Sequence, residues 1–154
     1  MAIGIARESP LGADLAMLMA RHREAMHLET PPESIHMMEA DALVSPDVSF
    51  FVVRADGKPV AMGAFKLLDA THAEIKSMHV LVENRGAGLS QQLLAHLLSE
   101  AKAAGVARVS LETGSQPGFA AAHRLYEKAG FTACPPFADY AEDPLSVFMS
   151  RTLA

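Results

Sequence analysis

The sequence has a single cysteine, Cys134. One thiol closes no internal disulfide, so a reducing compartment is the simpler reading. No stretch approaches the roughly 20 apolar residues of a membrane span, and no N-terminal apolar run is long enough for a signal peptide. Cytoplasm is the expected location, and no membrane partner is expected. Nor is there a basic patch: the formal net charge is −5, and a nucleic-acid partner is not expected. An acidic surface mildly favours a cationic small molecule. The seven histidines (His22, His27, His36, His72, His79, His96 and His123) show no metal-ligand spacing with cysteine partners, so no metal is expected. Repeats, low-complexity stretches and linkers are absent. The 154 residues, half of them apolar, suit one domain over 1–154. A chain of that length buries roughly 70% of its unfolded surface without disulfides or metal.

What is present is an alternation of strands and helices. Ile3 to Arg7 reads as a short strand. Ser9-Pro10 predicts a helix start, a capping hydroxyl followed by proline at the first helical position. Leu11, Leu15, Leu18, Met19, His22 and Met26 continue at helical spacing to Thr30-Pro31-Pro32, and Glu33 to Leu43 predicts a second short helix. Phe50 to Arg54 is a β-forming run, Asp56-Gly57 a hairpin turn and Val60 to Leu68 the returning strand. A third strand is expected from Ala73 to about Val82. Gly88 to Ala104 predicts a long helix with Leu89, Leu93, Leu94, Leu97, Leu98 and Ala101 on one stripe and Gly105 at its C-terminal cap. Val106 to Glu112 alternates, Ala107, Val109 and Leu111 on one face and Arg108, Ser110 and Glu112 on the other. Ala120 to Ala129 reads as helix, stopped by Gly130; Phe131 to Ala133 and Leu145 to Thr152 are the last strands. The order predicts a mixed α/β domain.

The segment Met78 to Gln92, MHVLVENRGAGLSQQ, carries the chemistry. A strand runs into Arg85-Gly86-Ala87-Gly88-Leu89-Ser90 and a helix begins at once. The first N–H groups of a helix lack partners and carry partial positive charge. Glycines let the backbone turn and approach a ligand, and Arg85 adds fixed charge, so the loop suits phosphate or pyrophosphate. A Walker loop is excluded because Leu89, not lysine, follows Gly88. The dinucleotide fingerprint is excluded because Gln91 stands at its third glycine.

Met78-x-Val80 followed by Arg85-x-x-Gly88-x-Ser90 resembles motif A of the GNAT acetyltransferases, Arg/Gln-x-x-Gly-x-Gly/Ala after a strand. Downstream, Ala122-x-x-Leu125-Tyr126-x-x-x-Gly130-Phe131 resembles motif B of the same superfamily, about 40 residues after the loop. Ser90, itself small, departs from the usual Gly or Ala of motif A, and Phe119 lies near where an asparagine often opens motif B. The resemblance runs from about Asp56 to Phe131. It implies the acyl-CoA N-acyltransferase fold, a mixed, mainly antiparallel sheet flanked by helices, with acetyl-CoA as co-substrate. It further implies that the N–H groups of Arg85, Gly86, Ala87, Gly88, Leu89 and Ser90 hold the CoA pyrophosphate. Met78 belongs to the cofactor strand, where Val80 and Val82 pair through their backbone with the pantetheine arm. Members often form a homodimer.

Acetyl transfer needs a neutral amine, a polarised thioester carbonyl and a proton for the departing thiolate. The resemblance puts Tyr126 near the sulfur, and a phenol matches a thiol in acidity; packing alone is its other reading. A free N–H near Val80 would polarise the carbonyl, if two strands splay there. Glu74, six residues before Val80, stands where the histone-acetylating members keep a base. Regular alternation puts it on one strand face with Lys76, Met78 and Val80. Its other reading is a carboxylate paired with Lys76; Glu112 and a water chain are the alternative bases. His79 faces away from Val80 and reads as packing, Cys134 as a structural thiol. Met26, Met37 and Met38 read first as core packing, with an adaptable acceptor pocket as their other reading. With no covalent nucleophile evident, direct transfer in a ternary complex is expected. The acceptor reads as a small primary amine. The alternatives are a protein lysine or N-terminal amine, and a non-catalytic CoA-binding module.

Overall fold

A computed structural model describes residues 2–35 and 38–153. Seven strands form one sheet in the order β1-β2-β3-β4-β5-β7-β6. They are β1 (Ile3–Arg7), β2 (Val48–Ala55), β3 (Lys58–Leu67), β4 (His72–Val80), β5 (Arg108–Gly114), β6 (Thr132–Ala133) and β7 (Ser146–Thr152). Every neighbouring pair is antiparallel except β4 with β5. That parallel pair needs a crossover, which α2 (Leu89–Ala103) supplies. The other helices are α1 (Ala16–Glu29) and α3 (Ala120–Lys128). The mixed, mainly antiparallel sheet flanked by helices is the architecture the sequence predicts.

Helices cover both faces of the sheet. On one, the leucine stripe of α2 (Leu93, Leu94, Leu97) and Tyr126 of α3 pack on Phe51, Phe65, Ile75, Val109 and Leu111. On the other, Leu15, Leu18 and Met19 pack on Phe50, Val52, Met62 and Ala64. The Asp56-Gly57 hairpin forms as its two-residue signal demands, both residues at positive φ. In β5, Val109 and Leu111 turn to the α2 face as the alternation predicts, while Ala107 lies exposed ahead of the strand.

Three expectations are corrected. The first helix does not start at Ser9-Pro10: the Ser9 hydroxyl accepts the Leu11 N–H at 3.3 Å, and the N–H of Gly12 bonds the Ser9 carbonyl. These bonds close a turn in place of a cap. Arg54 clamps both sides of that turn through Glu8 and Asp14, so helix begins only after Gly12. The helix over Glu33–Leu43 is also absent among the described residues. A single 3-10 turn, Pro32–Ser34, is followed by extended Ile35. Ser34 spends its hydroxyl on Asp143, and Asp41 bonds the N–H of Ala42, so both compete with a helical ladder. His36 and Met37 lie outside the described residues.

The third correction concerns β4, which ends at Val80. Val82 stands in a 3-10 turn, Val82–Asn84, with its side chain 67% exposed. The Leu81 N–H makes the last bond to β3, at the Val60 carbonyl. With no ladder beyond, the Asn84 N–H closes onto the Leu81 carbonyl.

Candidate active site

The glycine loop sits between that turn and α2. Gly86 and Gly88 have φ of 88° and 78°, conformations that a side chain disfavours, and open space lies where a Cβ would project. Gly88 is the N-cap, so no side chain covers the first N–H groups of α2. Val80, Arg85, Gly86, Gly88, Leu89 and Ser90 line a cavity of about 250 Å³ here, with Arg124 and Lys128 of α3 opposite. Leu89 offers only backbone, because its side chain is buried in the core. Ala87 is exposed at the turn, outside the lining. The Arg85 Nε donates to the Val80 carbonyl at 3.1 Å, tying the loop to the end of β4.

β4 and β5 pair only at His72–Arg108, Ala73–Val109 and Glu74–Ser110, and beyond these they part. Since the Leu81 N–H points to β3, alternation turns the Val80 N–H away from β3, toward the gap. Tyr126 of α3 stands beside it, its hydroxyl 3.9 Å from Met78 Sδ. Burial, and then the nearby Glu112 charge, push that phenol up to about 12. A channel of about 470 Å³, walled by Met78, Val80, Phe119 and Tyr126 with His22 and Met26 of α1, adjoins the loop cavity.

The regular alternation expected of β4 is broken. Ser77 has φ 57°, and the register with β3 slips between Met62 and Ala64, which admits one extra residue. Glu74 and Lys76 therefore face the α1 side, whereas Met78 and Val80 face α2. The single face predicted for all four is corrected, and it is His79 that shares a side with Glu74. The Ser77 hydroxyl is buried with no hydrogen-bond partner among the described residues.

On the α1 side lies a cavity of about 140 Å³, reached through Tyr126, where Glu74, Lys76, Glu112 and Tyr140 converge. Glu74 is 4% exposed. The Tyr140 hydroxyl donates to Glu74 Oε2, and the Lys76 ammonium donates to the same oxygen at 3.3 Å and to the Tyr140 oxygen at 3.1 Å. Burial and then the Glu74 bond hold the Tyr140 phenol well above its ordinary range. Tyr140 comes from the segment between β6 and β7 and packs against Phe137 and Phe148. It lies 66 residues from Glu74, so no spacing rule announces the contact. Met26 lines this cavity, whereas Met38 packs into the α1-side core.

His22 and His79 meet edge to face with ring centroids 5.2 Å apart, on the wall of the channel. Burial is the main cause that takes each down to about 4, so both rings are neutral near pH 7. Two side-chain bonds tie the segment after α1 to the segments flanking β7 and α3: the Ser34 hydroxyl to Asp143 Oδ2 at 2.8 Å, and Gln116 Nε2 to Thr30 Oγ1 at 3.3 Å. Among the described residues no group of three acidic, histidine or cysteine side chains is placed to hold a metal ion. None of their helices is long and apolar enough to cross a membrane.

Residues 15–131 match the acetyltransferase (GNAT) family. An uncharacterized N-acetyltransferase of Bacillus subtilis, YsnE, is 42% identical over 142 residues, 92% of this chain and 94% of that one. A protein of Azospirillum brasilense named IAA acetyltransferase is 36% identical, over 98% of each chain. Among solved structures, a putative acyl-CoA N-acyltransferase from Klebsiella pneumoniae superposes with a TM-score of 0.82 at 28% identity, over 99% of this chain and 98% of that one.

Proposed function

The chain belongs to the GNAT acetyltransferase family, and from that premise we propose that it moves the acetyl group of acetyl-CoA to the primary amine of a small molecule, by direct attack within a ternary complex. The proposal takes residues 1–154 as one catalytic domain. The observation that carries it is the gap between β4 and β5, which joins the glycine-loop cavity to a pocket of ionisable groups, with Tyr126 at the junction.

The residues fit CoA on three counts: open space at Gly86 and Gly88, uncapped N–H groups at the start of α2, and cationic Arg85 on the same cavity. When bound, acetyl-CoA supplies the acetyl group as an activated thioester. The N–H groups of Arg85 through Ser90 hold the pyrophosphate. The Val80 N–H, facing the gap, polarises the thioester carbonyl. The acceptor nitrogen bonds to the carbonyl carbon as the carbon–sulfur bond breaks. Glu74 takes the amine proton through Oε1, since Oε2 is occupied by Tyr140 and Lys76. Glu112, on the same cavity, is the second candidate. Tyr126, protonated at neutral pH, gives its proton to the sulfur. The small volume of the cavity around Glu74, about 140 Å³, favours a small acceptor over a peptide.

Isothermal titration with acetyl-CoA, beside an Arg85→Glu, Gly88→Glu variant, tests the cofactor half. Binding by the parent and none by the variant is expected, and no binding by a folded parent sinks the reading. A thiol-release screen over small amines tests the acceptor half. Mass gain on peptides, with every small amine inert, would replace it with protein acetylation.

A further inference from the structure

We propose that the acceptor is a small amine that also carries a carboxylate, and that Lys76 is the residue that recognises that carboxylate. The inference rests on the small-amine reading above and narrows it.

The Lys76 side chain is only 11% exposed and that of Glu74 only 6%. Two charges taken this far out of water are favourable only when further partners complete them. Here the completion is partial. The ammonium spends two N–H groups, on Glu74 Oε2 and the Tyr140 oxygen, and its third has no partner among the described residues. Glu74 Oε1 likewise makes no bond there. Both residues line the same cavity of about 140 Å³.

A general base alone does not call for this arrangement. A base needs its carboxylate, but it does not need a buried ammonium held on the same oxygen. A neighbouring cation and anion, each with one valence open on one cavity, are instead complementary to a ligand that carries both signs. The acceptor's carboxylate completes Lys76, and its nitrogen faces Glu74 Oε1 on the side toward Tyr126. A polyamine would set a second cation against Lys76, and an uncharged amine would leave that N–H unsatisfied. The small volume limits the body of the molecule to that of a small amino acid. Tyr140 holds the pair in register, donating to the carboxylate and accepting from the ammonium.

The test uses the whole protein with acetyl-CoA and matched sets of acceptors: small amino acids, the amide of each, and the amine left when its carboxylate is removed. In the parent, the amino acid of a set is expected to exceed both analogues at least tenfold in kcat/KM. Lys76→Met is expected to bring the three within about threefold of one another through KM, and Lys76→Arg to keep the preference. Should Lys76→Met not fold, the parent's ratio and Lys76→Arg decide. Amides or decarboxylated amines accepted as well as amino acids would overturn the proposal while leaving small-amine acetylation standing, and so would a preference that survives in a folded Lys76→Met. No turnover of any small amine by a protein that binds acetyl-CoA overturns both.

Discussion

Glu74 and Val80, six residues apart on β4, face opposite sides of the sheet. Even spacing on a regular strand would put them together. The extra residue at Ser77 separates them, so one strand turns a carboxylate to the α1 side and the Val80 N–H to the gap.

Ser77 is therefore expected to be sensitive in a particular way. A β-branched side chain at φ 57° is strained, and Ser77→Val should lower stability by about 1–2 kcal/mol. Ser77→Gly should keep both stability and turnover. Urea denaturation of the two variants checks this, and equal midpoints would refute it.

Tyr126→Phe keeps the ring against Phe131 and removes the hydroxyl. A fall in kcat of about 10²–10⁴-fold with little change in acetyl-CoA binding is expected. With the phenol at about 12, its proton is retained throughout the neutral range. The parent's kcat profile should accordingly show no alkaline limb from this group below about pH 10. A Phe variant of normal kcat would reduce Tyr126 to packing.

The histidine pair makes stability depend on pH. Both rings titrate near 4 in the fold, below the ordinary 6.5. The unfolded chain then binds more protons in that window, so their contribution is complete above about pH 6.5 and is lost as pH falls toward 4. The urea midpoint should drop between pH 7 and pH 4.5, and drop less in a His22→Gln, His79→Gln variant. An unchanged slope in that variant would show the pair to be uninvolved.

Gly114 is held by a close approach. A Cβ there would lie 2.4 Å from the Phe119 ring, which walls both the cavity around Glu74 and the channel. Gly114→Ala should displace that ring and cost about 1–3 kcal/mol. The acceptor KM should shift more than acetyl-CoA affinity, as read by steady-state kinetics beside titration.

The sequence made the helix stripe of α2, the hairpin at Asp56-Gly57 and the glycine loop legible because each is local: periodicity, a turn dipeptide, a cap. What escaped was long-range. The Glu74–Tyr140 contact joins the middle of β4 to a segment after β6, and no periodicity spans that distance. The bulge at Ser77 was hidden because serine carries no glycine signal for positive φ. Ser9-Pro10 carried a helix-start signal, and it was overridden by Arg54, whose bonds to Glu8 and Asp14 come from another strand. Val82 matched a motif position, but the chain turns into a 3-10 turn at Val82–Asn84, closed by the Asn84 N–H on the Leu81 carbonyl.

The parting of β4 from β5 leaves two unpaired main-chain rims in the interior of a seven-stranded sheet. At the outer margin of a sheet such rims invite fusion with other molecules. Here α1 lies over one face and α2 with α3 over the other, so a foreign strand has no approach. A slender guest threading between the helices still has one. Amide exchange at Met78 to Val80 should slow most when such a guest is bound.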